Sequence, residues 1–169
     1  GRQCGPVDVL AQCLAAMTVE DAGQRAKIVS GEVGVALAVS DGAGLRLLGS
    51  PDAEYALFVT RDAAKLLSLS ATKAEARSSL DLAMSMRLSA DDLPVAATRE
   101  GEHVWAMGQL ATAAQLVGIS EAALDQIVEY AKVRETFGKK IGSWQAVRHP
   151  CADMAVRLEA ARSQLWFAA

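Results

Sequence analysis

Two helical patterns joined by a short charged turn constrain this chain more than any other feature. The segment HVWAMGQLATAAQLVGISEAALDQIVEYAKVRE, His103 to Glu135, holds no proline and few helix breakers. Val104, Met107, Ala111, Ala114, Val117, Leu124, Ile127, Val128 and Ala131 trace one broad apolar face at helical spacing. Small residues recur here (Gly108, Ala111, Ala113, Ala114, Gly118), and these let another backbone approach closely. Gly138 and Gly142 end the run. Ser143 then stands as the N-cap of a second helix. In it Trp144, Val147, Cys151, Met154, Leu158, Ala161 and Leu165 step by 3 and 4 in alternation, a stripe for packing against other helices. Pro150 removes one intrahelical hydrogen bond and should bend this helix.

The residues ahead read differently. Residues 6–30 are expected to be helical, with Asp8 as cap and a break at Gly23. GEVGVALAVS is apolar, glycine-marked and β-branched, the pattern of a strand. DGAG (41–44) is a turn, and LRLLG and EYALFVT are short strands separated by the turn sequence SPDA. Leu82, Met84, Met86 and Leu88 alternate with Ala83, Ser85 and Arg87, a period of two that predicts a half-buried strand. A helix is the alternative there, because Leu, Ala and Met are strong helix formers. Leu93-Pro94 closes the β region, and both ends of the chain read as cut.

Composition excludes several classes. About half of the 169 residues are apolar, enough for a core. The net charge of -3 and the lack of a basic run argue against nucleic acid. No run of 18 uncharged apolar residues suggests a membrane span, and the start does not resemble a secretory leader. Cys4, Cys13 and Cys151, with His103 and His149, have no metal-ligand spacing. Free thiols fit a reducing compartment, so a cytoplasmic protein without a metal is expected.

The turn carries the chemistry. Arg134, Thr136, Phe137 and Gly138 lie together, with Gln145 just beyond. A guanidinium, a hydroxyl and backbone N–H groups match a pyrophosphate or a ribityl chain, while the aromatic ring either stacks on a ligand or plugs the core. The same residues also allow a plain helix connector.

The stretch Y-x-x-x-R-x-T-F-G-K-x-I-G-x-x-Q-x-V-x-x-x-x-A-D-M, Tyr130 to Met154, resembles the C-terminal signature of the acyl-CoA dehydrogenases. EAARSQLWFAA continues it, and VGISEAALDQIVEYA is similar to the preceding helix. SPDAEYALFV and SSLDLAMSMRLSADDLP resemble pieces of the family's middle β domain. AGQRAKIVSGEVGVALAVSD resembles the end of its N-terminal helical domain. The resemblance implies an α+β fold with N-terminal helices, a small middle β domain and a C-terminal helical bundle. The expected division is 1–32, 33–100 and 101–169. It implies FAD-dependent α,β-dehydrogenation of an acyl-CoA substrate, electrons passed to electron-transfer flavoprotein or a similar acceptor, and a homo- or hetero-oligomer of four subunits. It also implies that Arg134, Thr136, Phe137 and Gln145 contact the FAD of a neighbouring subunit.

Two departures from the family pattern stand out. Counting back without gaps from Arg134, one of the family's two places for its catalytic glutamate holds Gly108, followed by Gln109, and the other place lies past Ala169. No catalytic base is therefore assigned; Glu121, Glu129 and Glu135 read as surface carboxylates. Where the family has a T-E-P-x-x-G-S-D-like flavin loop, the chain reads Val39-Ser40-Asp41-Gly42-Ala43-Gly44, leaving Ser40 as the hydroxyl for the flavin. Trp105, Trp144 and Trp166 read as core or interface anchors. The small-residue helix and the absent glutamate resemble the heteromeric acyl-CoA dehydrogenases of actinobacterial steroid side-chain breakdown. The alternative is a non-catalytic structural partner that completes a related subunit's flavin site.

Overall fold

The computed structural model describes residues 9–40, 44–49, 52–70, 75–77, 85–88 and 93–169. They form two compact units, Gly1–Gly108 and Gln109–Ala169.

The first unit opens with helices α1 (Val9–Thr18) and α2 (Ala22–Ser30). The break between them falls at Val19–Asp21, not at Gly23 as expected. Asp21 explains the shift: its side chain accepts the Gln24 N–H at 2.7 Å and caps α2, so Gly23 lies within the helix's first turn. Arg25 then donates through Nε and Nη2 to the Val19 carbonyl, at 3.0 and 2.7 Å, and satisfies a group left at the end of α1. Asp8, the expected cap of the first helix, lies outside the described residues.

Among the described residues seven strands follow: β1 (Val35–Ser40), β2 (Leu45–Leu48), β3 (Tyr55–Val59), β4 (Ala63–Ser68), β5 (Glu75–Arg77), β6 (Ser85–Leu88) and β7 (Val95–Glu100). They make one sheet in the order β5-β6-β2-β1-β3-β4-β7. Only β1 and β3 run parallel; the other neighbours are antiparallel. The pleat sends alternate residues to opposite faces. Val35, Leu57, Ala64 and Leu66 pack with Ala11, Leu14, Ala15, Val19 and Ile28 of the helical layer. Ala36, Ala38, Leu45, Leu47, Ala56 and Leu67 form a second cluster.

The strand at Ser85–Leu88 settles the segment whose alternation competed with a helical reading; Leu82 and Met84 lie outside the described residues, as do residues 41–43 of the DGAG turn. Strand β7 was not expected. VAATRE has no apolar alternation, because β7 pairs with β4 alone at the sheet's edge, and all but one of its residues are exposed. Charged side chains on an edge strand discourage further pairing.

Helix α3 (Gly101–Val133) begins in the first unit, where Val104 is buried against the sheet and helices. Its start needs a glycine. A Cβ at Gly101 would lie 2.4 Å from both the Ala63 nitrogen and the Thr60 carbonyl oxygen.

The second unit contains the rest of α3, two short strands β8 (Glu135–Thr136) and β9 (Lys139–Lys140), a 3-10 turn (Ile141–Ser143) and helix α4 (Gln145–Ala168). Arg162 of α4 ties the two helices, donating to Glu121 of α3 at 2.6 Å and to Glu159 at 2.7 Å. Ser143 does not cap α4. Its hydroxyl donates back to the Lys140 carbonyl at 2.7 Å, and Trp144 is the N-cap, without a side-chain cap bond. The 3-10 turn uses Ser143 as its last residue, which moves the cap one position on. Pro150 lies inside α4, and the helix continues to Ala168. The α3 and α4 stripes reach only half-burial within this unit, where Ala131 is the one buried hydrophobic residue among those described.

Candidate functional site

The turn singled out in the sequence is a β-hairpin. Helix α3 ends as the Arg134 N–H donates to the Tyr130 carbonyl at 2.9 Å. Glu135 then pairs with Lys140, and Thr136 with Lys139. The base is closed by the Ile141 N–H, which donates to the Arg134 carbonyl at 2.8 Å. Two residues remain for the tip, Phe137 at φ 51° and Gly138 at φ 72°. Positive φ at both central positions is the requirement of a type I′ turn, whose twist matches that of the flanking strands. Glycine enters that region freely; an aromatic residue does so at a cost of roughly 1–2 kcal/mol. Phe137 is the only non-glycine with positive φ among the described residues. It is also 91% exposed, so its ring does not plug the core of its own unit. Strain of this kind persists where the surrounding structure enforces it, and it clusters at ligand clamps.

The rest of the site is cationic. Between residues 132 and 148 stand Lys132, Arg134, Lys139, Lys140 and Arg148 against a single carboxylate, Glu135. Lys132 is paired with Glu129 at 2.6 Å. The Arg134 side chain is exposed and has no ion-pair or hydrogen-bond partner among the described residues. The Lys139 ammonium lies 5.8 Å from the centroid of the Trp144 ring, within cation–π range. Thr136 is half-buried in β8, and Gln145 is exposed at the first position of α4. The structure therefore carries Arg134, Thr136, Phe137 and Gln145 on one continuous hairpin-to-helix segment. Ser40 belongs to the other unit, exposed at the end of β1.

These residues suit a flavin dinucleotide. An exposed guanidinium and further cations match a pyrophosphate, and an exposed ring held at a hairpin tip offers a stacking surface. Sequence reasoning missed the Lys139–Trp144 pair. Its only signal was the KK doublet placed a few residues before a tryptophan.

Gly108 is half-buried in the first unit, and a Cβ there would lie 3.3 Å from the Leu14 side chain of α1. Installing a carboxylate by Gly108→Glu is thus expected to push Leu14 aside and destabilise the first unit by about 1–3 kcal/mol. Thermal denaturation of the variant checks this; an unchanged midpoint would contradict the packing. Among the described residues, no group of three or more His, Cys, Asp or Glu side chains is placed to hold a metal, and no helix is long and apolar enough to cross a membrane.

Comparison with known proteins converges on one class. Residues 103–169 match the family description "Acyl-CoA dehydrogenase, C-terminal domain". The chain is 51% identical over 61 residues to the acyl-CoA dehydrogenase FadE34 of Mycobacterium tuberculosis, covering 36% of this chain and 9% of that protein. It is 44% identical over 63 residues to the caffeyl-CoA reductase-Etf complex subunit CarC of Acetobacterium woodii, covering 37% of this chain and 17% of that one. Among solved structures, a variant of the Tcur3481-Tcur3483 steroid ACAD superposes with a TM-score of 0.75 at 26% identity, over 96% of this chain and 55% of that one. The chain thus spans about half of that structure, and its matches cover less than a fifth of those curated relatives. The fold is that of the acyl-CoA dehydrogenases, with a helical layer, a β region and C-terminal helices. Residues 103–169 thus match the acyl-CoA dehydrogenase C-terminal domain, and the chain is similar to acyl-CoA dehydrogenases in sequence and fold.

Proposed function

We propose that this chain is a subunit of an FAD-dependent acyl-CoA dehydrogenase, and that its hairpin segment clamps FAD across a subunit interface. The observation that carries the reading is the Phe137–Gly138 tip, where an aromatic residue is held at positive φ and almost fully exposed close in sequence to the exposed Arg134. Arg134 grips phosphate oxygens, Phe137 covers a ring, and Thr136 and Gln145 donate to the remaining polar atoms. Ser40 serves the flavin from the β region. Bound FAD supplies the hydride acceptor for α,β-dehydrogenation of an acyl-CoA thioester.

The domain division follows the family: residues 1–32 end an N-terminal helical domain, 33–100 form the middle β domain, and 101–169 begin the C-terminal helical domain. The relative named as an Etf-complex subunit supports an electron-transfer flavoprotein, or a similar carrier, as the acceptor. Exposed Leu116, Ile119, Val156, Trp166 and Phe167 on α3 and α4 support assembly into a tetramer, which buries such residues. A cytoplasmic location accords with the free cysteines.

One observation favours a second reading, in which the chain completes a related subunit's flavin site and does no chemistry of its own. Gly108 and Gln109 occupy a position at which the family carries its base. Similarity to the steroid ACAD supports a heteromeric assembly of that kind.

Arg134→Ala tests the clamp. It removes charge-assisted bonds of about 1.5–3 kcal/mol, so FAD affinity should fall roughly 10- to 150-fold. Arg134→Lys should restore only part of it, since the planar fork is lost. Flavin retained after dialysis at the wild-type level in the alanine variant would overturn the clamp.

A further inference from the structure

The hairpin stands on a contact that allows no side chain. A Cβ built on Gly142 would meet the Ala131 carbonyl oxygen at 2.9 Å and the Ala131 carbonyl carbon at 3.3 Å. Ala131 is 6% exposed and lies in the last turn of α3, while Gly142 is the centre of the 3-10 turn. Three residues after Ala131, the Arg134 carbonyl accepts the Ile141 N–H at 2.8 Å. The 3-10 turn is therefore tied to the end of α3 at two adjacent points, one steric and one hydrogen-bonded. Everything on the hairpin, from Glu135 to Lys140, hangs between them. The turn in turn delivers Trp144, whose N–H donates to the Ile141 carbonyl at 3.1 Å and whose ring lies under Lys139. Gln145 starts α4 directly afterwards.

We infer that Gly142 is a positioning residue for the flavin clamp: its close approach to the Ala131 carbonyl sets where the hairpin and the start of α4 stand relative to the end of α3. This rests on the flavin reading above. Gly142 has no positive φ, so alanine is compatible with its backbone and acts only through its methyl group. The clash is with backbone atoms, which cannot swing aside as a flexible side chain does. Gly142→Ala must lift the 3-10 turn off α3. Arg134, at the end of α3, then keeps its place while Gln145 and Trp144 move away from it. A clamp made of groups on both sides of the pivot loses its geometry even though every clamp residue is still present.

The test uses the intact protein and two readouts. Amide hydrogen exchange at Ile141 reports the bond to Arg134 without any ligand. FAD titration reports the clamp. The inference expects Gly142→Ala to exchange faster at Ile141, with the amides in the middle of α3 and α4 still protected, and to bind FAD about tenfold more weakly or worse. Gly142→Ser, which adds the same Cβ, should loosen the contact at least as much as alanine. Wild-type protection at Ile141 in the alanine variant would overturn the pivot. Lost protection with wild-type FAD affinity would overturn its role in positioning the clamp. Failure of the wild-type protein to bind FAD would overturn the flavin reading and the clamp role with it, while exchange at Ile141 still decides whether the pivot exists.

Discussion

Gln12→Leu should lower the unfolding midpoint of the first unit by roughly 10–20 °C. Gln12 is 8% exposed in α1, and its side chain joins three elements. Nε2 donates to the carbonyls of Ile28 and Val33, both at 2.6 Å, and Oε1 accepts the Val35 N–H at 3.1 Å. These are the last buried turn of α2, the connection out of it, and the first residue of β1. Leucine fills much the same space but leaves the Val33 carbonyl and the Val35 N–H unpaired in an apolar cluster, while the Ile28 carbonyl keeps only the Gly31 N–H, at 3.1 Å. Each buried unpaired group costs about 1–3 kcal/mol, so the two together cost about 2–6 kcal/mol. Gln12→Glu should also destabilise, because a carboxylate cannot donate to the two carbonyls. Calorimetry of both variants checks this. A leucine variant as stable as the wild type would mean that water satisfies the Val33 carbonyl and the Val35 N–H.

Gly101→Ala should be comparably severe for a different reason. The new methyl carbon would lie 2.4 Å from the Ala63 nitrogen and the Thr60 oxygen and 2.9 Å from the Ala63 carbonyl carbon. Those atoms belong to a tight turn: Thr60 N–H donates to the Ala63 carbonyl at 2.8 Å, and the Thr60 hydroxyl accepts the Ala63 N–H at 3.1 Å. The Gly101 N–H also donates to the Asp62 carbonyl at 3.1 Å. Room for a methyl exists only if α3 and the β3–β4 turn part, which breaks these bonds and uncovers Val104. A loss of about 3 kcal/mol or more is expected, beyond ordinary overpacking, because backbone atoms are involved. Urea denaturation of the alanine variant measures it, and a shift under about 1 kcal/mol would contradict the close approach.

Neither residue announced itself in the sequence. A glutamine within VLAQCLAAM reads as a solvent-facing position, and its value comes from carbonyls 16 and 21 residues away. Gly101 reads as a punctuation mark before a helix, and only the folded turn at Thr60 shows why it must be glycine. The long helices were legible because a 3.6-residue stripe survives over many turns in α3 and α4. Strand β1 was legible through its β-branched, glycine-bounded pattern. Strand β7 was hidden by its edge position, since an exposed edge keeps no apolar face. The hairpin at 135–140 was hidden too: two-residue strands have no period, and Phe-Gly lacks the Asn-Gly or Asp-Gly signal of a type I′ turn. What the sequence did carry was the set of residue types on that segment. Arg134, Thr136, Phe137 and Gln145 stood out by residue type, before their backbone was known. Ser40 rested on a position in a loop motif, and the structure leaves it in the other unit.

The central claim is that the segment from Arg134 to Gln145 binds FAD, and equilibrium titration of FAD into the intact wild-type protein and its Arg134→Ala variant measures it most directly. The account predicts saturable wild-type binding, accompanied by the change in flavin fluorescence that stacking on an aromatic ring produces, and roughly 10- to 150-fold weaker binding by the variant. Equal affinity in the two proteins, or no binding by the wild type, would contradict it.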